Sequence, residues 1–255
     1  NGPVALVDFA PYPLSFMTTH VDDATYYPLA LRGLTCIRVS ARGTDRSQGA
    51  CGDPYDFAGV HTPDLTAVIE RIASTGLADG TAADGTTAPP VDAFGSVILH
   101  GFSWAATVAL RVLALPDGVR PSAIKAACLC MGNDELHESD AFFERRVPLA
   151  FNWMWTSQFE ALMARPPTDL ANDQTTGATW QHQWLDRLEA LGNLPAKYMC
   201  ATRDPSRDAR WKKQSLSGQA DPALEGRTED AALLKGLGKI AVPVLAAGAS
   251  FLGRY

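Results

Sequence analysis

The sequence lacks a long apolar segment and has little positive charge. No apolar run in the 255 residues approaches the ~20 that a bilayer-spanning helix needs. Lys and Arg number 22 against 28 Asp and Glu, giving a net charge of −6. This balance argues against nucleic acid and against a membrane as the main partner. The chain begins at Asn1 without a signal-peptide pattern, so the compartment stays open, with the cytoplasm favoured.

Cysteine and histidine are also few, with five of each, and no CxxC pair occurs. An odd number of Cys in a chain of this size argues against a disulfide framework. We therefore expect most of the Cys to be buried free thiols. No recognised metal-ligand spacing is present, and we predict neither a metal nor another cofactor.

Short apolar strands alternate with amphipathic helices along the first half of the chain. Strands are predicted at 4–7, 34–39, 96–100, 123–130 and 242–248, and helices at 22–32 and after residue 103. Thr62 as a cap and Pro63 in the first turn predict a further helix that stops at Gly76. The Gly-, Ala- and Thr-rich residues 77–95 are predicted to form a surface loop. This alternation is typical of an α/β fold with a mostly parallel sheet covered on both faces.

From about residue 140 to 225 the strand rhythm stops and Trp and Phe become frequent. Trp180, Trp184 and Leu188 recur at i, i+4 and i+8, which predicts a helix over 179–191. A helical insert over a sheet edge would form a lid and a substrate pocket, although the same aromatics are equally explained as the core of the insert. The sequence therefore predicts three parts: residues 1–139 as the first part of the core, 140–225 as a helical cap and 226–255 as the return to the core.

The motif Gly101-Phe102-Ser103-Trp104-Ala105 lies between a predicted strand and a predicted helix. A strand, a sharp turn carrying Ser and then a helix are typical of a nucleophile elbow. Such an elbow exposes the Ser hydroxyl above the sheet and directs the first N–H groups of the helix at negative charge that develops beside it. Ala105 stands where a second Gly is usual. We favour Ser103 as a nucleophile over a buried structural Ser.

Three motifs in order carry a family resemblance: Pro11-Tyr12, the loop from Arg42 to Gly49, and the elbow at Ser103. Together they resemble the cocaine-esterase and X-Pro dipeptidyl-peptidase family of serine hydrolases. Asp45 replaces a Gly of the family pattern, Trp104 replaces a Tyr and Ala106 replaces the final Gly. The resemblance covers most of the chain and implies an α/β-hydrolase-like, mostly parallel sheet with an inserted helical cap.

The resemblance also implies roles for individual residues. Ser103 matches the nucleophile, the Tyr12 hydroxyl matches one donor of the oxyanion hole, and the backbone N–H of Trp104 matches the other. Without the resemblance, Tyr12 would be interpreted as a loop aromatic held by its flanking prolines. For Arg42 we expect a structural role, pairing with a carboxylate, in preference to direct substrate contact.

The chain departs from the family pattern after the last predicted strand. The family has an acid there and a His further on, but no carboxylate lies between Gly248 and Tyr255. Of the five His we assign none as the base. Strands that precede the Pro-Tyr loop in the family are also missing, so we expect a chain truncated at both ends. An exposed sheet edge would then favour a homo-oligomer, and a clean monomer on gel filtration would contradict this.

Three functions follow as hypotheses. The first is a serine hydrolase that cleaves a small-molecule ester or amide through an acyl-enzyme on Ser103. The second is an X-Pro dipeptidyl peptidase acting on short peptides, for which Asp134, Glu135 and Glu138 offer an acidic clamp. The third is a non-catalytic remnant or binding module that keeps the fold and the pocket.

Overall fold

Short strands and helices alternate along the chain in the computed structural model. The structure describes residues 2–12, 19–45, 47–50, 56–78, 80–81, 87–88, 90–132, 142–143, 147–148, 150–166, 179–191 and 239–247. In chain order the elements are β1 (Val4–Ala10), α1 (Thr19–Ala30), β2 (Thr35–Ser40), a π-helical turn (Phe57–His61), α2 (Thr62–Thr75), β3 (Gly80–Thr81), β4 (Thr87–Ala88), β5 (Ser96–Phe102), α3 (Trp104–Leu113), β6 (Ile124–Cys130), β7 (Phe142–Phe143), β8 (Val147–Pro148), α4 (Ala150–Met163), α5 (Thr179–Ala190) and β9 (Val244–Ala247).

The central sheet has the strand order β2-β1-β5-β6-β9. Every neighbouring pair in it is parallel. All five strands that the sequence predicts belong to this sheet, and β1 and β5 extend beyond their predicted ends. The register places Asp8 of β1 beside both Arg38 of β2 and His100 of β5. These three residues therefore share one face of the sheet.

Helices cover both faces of the sheet. Because successive side chains of a strand alternate between faces, Asp8 and Phe9 point in opposite directions. Phe9 stacks on Trp104 of α3, with ring centroids 6.0 Å apart, and α2 packs against α3 on that side. Asp8 accepts a hydrogen bond from Tyr26 of α1 on the other face. This arrangement confirms the predicted mostly parallel, doubly covered sheet of an α/β-hydrolase fold.

The core fills the space between the sheet and the α2–α3 layer. Buried apolar side chains from both layers form one cluster, whose members include Val7, Phe9, Leu65, Ile69, Phe94, Val97, Leu99, Val108, Val112 and Leu113. Burial of this apolar surface is the main favourable contribution to folding and fixes α3 against β1 and β5. This packing therefore also fixes the position of Ser103, the residue that directly precedes α3.

The helix predicted from Thr62 to Gly76 is present as α2, but its start differs in detail. His61 occupies the N-cap position with helical backbone angles, and Thr62 is the first helical residue. Thr62 as the cap was therefore a wrong prediction, because the π-helical turn continues directly into α2. At the other end Gly76 has φ 69°, and a Cβ there would lie 2.0 Å from the Val91 carbonyl oxygen. Only Gly fits this stop.

The first helix also begins earlier than the sequence predicts. We expected a start near Asp22, whereas α1 begins at Thr19 and ends at Ala30. Gly33, the predicted stop, has φ 90° and its N–H donates to the Ala30 carbonyl. The end of the helix therefore lies close to its predicted position, while the start was misplaced by three residues.

The described residues between 77 and 95 include more regular structure than the predicted surface loop. Thr-containing strands β3 and β4 pair antiparallel, and Leu77 bridges to Val91. Phe94 is fully buried, and its N–H donates to the Ile72 carbonyl at the end of α2. The loop prediction was wrong in this respect, because β-branched residues and one core Phe override the Gly- and Ala-rich composition.

Two helices, α4 and α5, lie in the region predicted to be a cap. The helix predicted over 179–191 is confirmed as α5, which ends at Ala190. Short strands β7 and β8 pair antiparallel in the same region, where we expected none. The boundaries of the three predicted parts stay predictions.

Three sulfhydryl groups, those of Cys36, Cys128 and Cys130, are free and half-buried in the described residues. For these three Cys the prediction of free thiols is confirmed, whereas the prediction that they are buried is wrong, because each is only half-buried. Within the described ranges no cluster of three His, Cys, Asp or Glu could hold a metal ion. In the same ranges no helix is both long and apolar enough to cross a bilayer.

Candidate active site

Ser103 lies in a sharp turn between β5 and α3. Its backbone angles are φ 56° and ψ −120°, in a left-handed region that non-Gly residues rarely adopt. The N–H of Ser103 donates to the Cys130 carbonyl at 2.8 Å, and its carbonyl accepts from the Thr107 N–H at 3.1 Å. These two bonds tie the turn to β6 and to the first turn of α3. A strained Ser between a strand and a helix has the geometry of a nucleophile elbow.

Close packing explains why Gly precedes the elbow. A Cβ on Gly101 would lie 2.6 Å from the backbone nitrogen of Ala106, and a Cβ on Gly132 would lie 2.9 Å from the Ala106 methyl group. Ala106 is fully buried between them. It stands where the family pattern has Gly, and its methyl group fits because Gly132, which faces it, carries no side chain.

The structure brings Tyr12 to Ser103 and Trp104. The Tyr12 hydroxyl hydrogen-bonds with the Ser103 side chain and accepts from the backbone N–H of Trp104. Tyr12 lies two residues after the end of β1, at the carboxyl end of the sheet, where parallel α/β folds place functional residues. The three site residues taken from the family resemblance are therefore neighbours in space.

Burial raises the pKa of Tyr12 above its usual value of 10.0. The hydrogen bonds with Ser103, Trp155 and Trp104 oppose this shift, and the negative charge of Asp8 adds to it. Because the pKa is raised, the phenol stays protonated at neutral pH. A protonated phenol is a hydrogen-bond donor, which is the form that stabilises an oxyanion.

Trp155 is a site residue that the sequence did not single out. It lies on α4, and its indole N–H donates to the Tyr12 hydroxyl. Its ring also packs against Phe159, with centroids 5.2 Å apart. The sequence offered Trp155 only as one of several aromatics in the predicted cap. Its i, i+4 spacing to Phe159 suggests a helix face but carries no information about Tyr12.

The Trp104 side chain packs into the core next to the elbow. It is buried, stacks on Phe9 and meets the ring of His61 edge-to-face with centroids 4.6 Å apart. The indole therefore holds the first turn of α3 in the core while the backbone N–H of the same residue reaches Tyr12.

The loop after β2 has the structural role predicted for it. Arg42 makes a bidentate pair with Asp64 of α2, through Nε at 2.9 Å and Nη2 at 2.5 Å. Pairing of Arg42 with a carboxylate is thus confirmed. Asp45 has φ 47°, in the left-handed region. This backbone explains why the family pattern has Gly there, and Asp is among the residues that tolerate the conformation best.

Helix α5 docks on this loop through buried Arg187. Its Nη2 donates to the carbonyl of Asp45 at 3.0 Å and to that of Ser47 at 2.6 Å. Gln183 donates to the same Ser47 carbonyl at 3.1 Å. Burial lowers the pKa of Arg187, and the charge of Asp45 opposes the shift. The predicted cap region is therefore joined to the core at the loop that follows β2.

Three of the five His have described side chains, and these three fall where the core or surface interpretation expects them. His61 is fully buried against Trp104, and His182 is exposed on α5. His100 points to the α1 face, with Nδ1 3.8 Å from the Asp8 carboxylate. The His20 side chain and His137 lie outside the described residues, as do Asp134, Glu135, Glu138 and the segment 248–255.

Comparison with known proteins identifies relatives at the level of sequence. A sequence model of the X-Pro dipeptidyl-peptidase (S15) family matches residues 3–247. No curated protein matches the chain.

Several solved structures are also similar to the chain. A CocE/NonD family hydrolase from Staphylococcus aureus shares 17% identity at a TM-score of 0.48, over 85% of this chain and 34% of its own. A hydrolase from Pseudomonas aeruginosa PA01 shares 14% identity at 0.39, over 97% and 83% of the two chains. A bromoperoxidase from Bacillus anthracis shares 13% at 0.43, over 97% and 84%. The chain spans about a third of the length of the staphylococcal hydrolase.

Proposed function

The chain belongs to the X-Pro dipeptidyl-peptidase (S15) family, and from this premise we propose that it is a serine hydrolase cleaving a carboxylic ester or amide through an acyl-enzyme on Ser103. The observation that carries the proposal is the shared contact at Tyr12. Its hydroxyl hydrogen-bonds with the Ser103 side chain and with the Trp104 N–H. A nucleophile and two oxyanion donors are thereby within reach of one reacting carbonyl group.

In the proposed reaction the Ser103 Oγ attacks the carbonyl carbon of the substrate. The carbonyl oxygen becomes an oxyanion and accepts hydrogen bonds from the Tyr12 hydroxyl and the Trp104 N–H in place of their present mutual contact. Collapse of the tetrahedral intermediate expels the alcohol or amine and leaves an acyl group on Ser103, which water then removes. The Ser103 proton passes to a general base and from it to the departing alcohol or amine. We assign none of the five His to this role.

The predicted cap would bind the part of the substrate beyond the reacting carbonyl. Trp155 of α4 already contacts Tyr12, so α4 borders the proposed oxyanion hole. The indole ring offers an apolar surface for an acyl or leaving group, and its N–H holds the Tyr12 hydroxyl. We infer a small-molecule ester or amide, or a short peptide, as the substrate.

The second candidate is an X-Pro dipeptidyl peptidase, which the description of the matching family favours. This activity requires carboxylates that bind the free amino terminus of a peptide. Asp134, Glu135 and Glu138 are the candidates, and they lie outside the described residues. Cleavage of an X-Pro p-nitroanilide but not of a matched N-acetylated substrate would favour this candidate over a general esterase.

The proposal is tested by hydrolysis of p-nitrophenyl acetate and butyrate. Wild type, Ser103→Ala and the matched control Ser74→Ala, a surface Ser on α2, are compared, and each is also treated with a fluorophosphonate probe. We expect turnover and labelling in wild type and in the Ser74 variant, and loss of both in Ser103→Ala. Equal rates in all three proteins, with no labelling, would refute the proposal and favour a non-catalytic binding module.

A further inference from the structure

A cluster of ionisable side chains, partly or fully buried, lies on the α1 face of the sheet, and the proposed reaction uses none of them. Asp8, Arg38 and His100 are neighbours across three strands. Helix α1 contributes Asp22, whose carboxylate pairs with Arg38, and Tyr26, whose hydroxyl donates to Asp8. Asp8 is only 5% exposed. Charges this deeply buried require compensating contacts, so each group in the cluster constrains the others.

Arg38 connects this cluster to the candidate active site. Its Nη2 donates to the backbone carbonyl of Tyr12 at 3.1 Å. Its Nε lies 3.1 Å from Asp22 and its Nη1 lies 3.6 Å from Asp8. The guanidinium is thus held by two carboxylates while its remaining nitrogen reaches the Pro11-Tyr12 segment. The side chain is 11% exposed, so water competes little for these contacts.

We propose that Arg38 is a positioning residue that fixes the backbone of Tyr12 and thereby keeps the Tyr12 hydroxyl beside Ser103 and the Trp104 N–H. The proposal rests on the proposed function, since it assigns Arg38 to the support of a residue of the proposed oxyanion hole. Strand β1 ends at Ala10, whose carbonyl accepts from the Ala41 N–H. After Ala10, the hydrogen bond from Arg38 to the Tyr12 carbonyl holds the backbone of the residue that carries the phenol ring.

The chemistry of the side chain explains why Arg suits this position. A planar guanidinium donates in several fixed directions at once, whereas a Lys ammonium is a compact charge on a flexible chain. The charge-assisted bond to the Tyr12 carbonyl is stronger than a neutral one. Asp8 and Asp22 neutralise the buried cation and set its orientation. A Lys at this position would keep the positive charge, but it could not contact both carboxylates and also donate to the Tyr12 carbonyl.

A turnover-independent test uses NMR of the full chain carrying tyrosine labelled with ¹³C at Cζ. The Tyr12 signal is assigned by its loss in Tyr12→Phe. We expect this signal to shift or broaden in Arg38→Lys and to stay in place in the matched control Arg42→Lys, because Arg42 pairs with Asp64 instead. An unchanged Tyr12 signal in a folded Arg38→Lys protein would overturn the proposal.

A kinetic double-mutant cycle tests whether Arg38 acts through Tyr12. Misplacement of a catalytic donor by a fraction of an ångström should lower kcat of Arg38→Lys roughly 10-fold, with KM within about twofold. In a Tyr12→Phe background the same substitution should change kcat less than about twofold, because coupled residues are not additive. Equal losses in both backgrounds would mean that Arg38 is merely structural and would refute the proposal.

The two measurements separate failure of this proposal from failure of the proposed function. Absence of Ser103-dependent turnover in wild type refutes the proposed function, and the Tyr12 signal still decides whether Arg38 positions Tyr12. Should Arg38→Lys fail to fold, Asp22→Asn provides a milder change that weakens the hold on the Arg38 Nε. A smaller displacement of the Tyr12 signal is then expected, and no displacement would overturn the proposal.

Discussion

At the scale of single residues, the Tyr12 hydroxyl can be either a donor to the oxyanion or a purely structural group, and its removal distinguishes the two. The Tyr12 hydroxyl contacts Ser103, Trp104 and Trp155, so its removal leaves the ring and only one of the two proposed oxyanion donors, the Trp104 N–H. We expect Tyr12→Phe to lower kcat/KM on p-nitrophenyl butyrate roughly 10²-fold, as for loss of one donor in other oxyanion holes. The free energy of unfolding should fall by only about 1 kcal/mol, the contribution of a typical hydrogen bond.

The matched control is Tyr27→Phe, since Tyr27 is 66% exposed on α1. Its activity and its urea midpoint should equal those of wild type. If Tyr12→Phe retained full activity, the phenol would be a structural residue and the oxyanion hole would have to be sought elsewhere.

Among the site residues, those in a local motif were predictable and those brought in by tertiary packing were not. Ser103 and Trp104 belong to a local strand–turn–helix pattern. Tyr12 came only from the family resemblance, because 90 intervening residues separate it from Ser103 with no local signal joining them. Arg38 and Trp155 lie on β2 and α4, and only the folded chain brings them to Tyr12.

At the scale of elements, the contact between β5 and α3 determines where Ser103 lies. A methyl group at Gly101 would meet the Ala106 backbone, which cannot move without α3. We expect Gly101→Ala to destabilise the protein by about 1–3 kcal/mol, the usual effect of overpacking, and to lower Ser103-dependent activity. Urea unfolding measures the first effect.

Gly95→Ala is the matched control, because a Cβ at Gly95 would meet no atom within 4 Å. This substitution should leave stability unchanged or raise it by up to about 1 kcal/mol through a less flexible unfolded chain. Equal losses at the two positions would contradict the packing argument.

The junction between α5 and the loop after β2 gives a second prediction. Arg187→Lys loses the Nη2 group that donates to both the Asp45 and the Ser47 carbonyl. We expect faster amide hydrogen exchange in residues 41–45 and in α5, because both segments depend on this contact. Arg71→Lys, on the exposed side of α2, should leave exchange unchanged. Unaltered exchange in Arg187→Lys would show that other contacts hold α5.

Elements with strong local signals were predicted well. Apolar runs marked every strand of the central sheet, and Pro63 and Gly76 marked both ends of α2. The prediction was wrong where tertiary packing overrides composition. Phe94 is buried in a segment that reads as a loop, and the π-helical turn before α2 has no recognised sequence signal.

At the scale of the whole molecule, the buried phenols of Tyr12 and Tyr26 should make the free energy of unfolding fall at alkaline pH. Burial raises the pKa of both Tyr12 and Tyr26, and the negative charge of Asp8 adds to each shift. The pKa of each phenol is higher in the folded state than in the unfolded state, where it is 10.0. Such a group contributes its full stabilisation below pH 10.0, and this stabilisation is lost as the pH rises above that value. We expect the free energy of unfolding to fall steeply above pH 10.

Urea titrations at pH 8 and pH 11 check this expectation. Tyr26→Phe should lose less stability between the two pH values than wild type, although it starts lower because Asp8 loses its hydrogen bond. The Tyr27→Phe protein should follow wild type. Parallel losses in all three proteins would assign the alkaline instability to other groups.

The left-handed backbone at Ser103 bears on how this chain evolves. Gly adopts such a conformation without strain, whereas a residue with a side chain there is disfavoured by about 1–3 kcal/mol. Selection for stability alone would therefore replace Ser103 by Gly. Under the proposed function, a related protein that no longer needs the Ser103 hydroxyl should lose this Ser early, so the residue at position 103 would distinguish relatives that keep the proposed chemistry from those that have lost it.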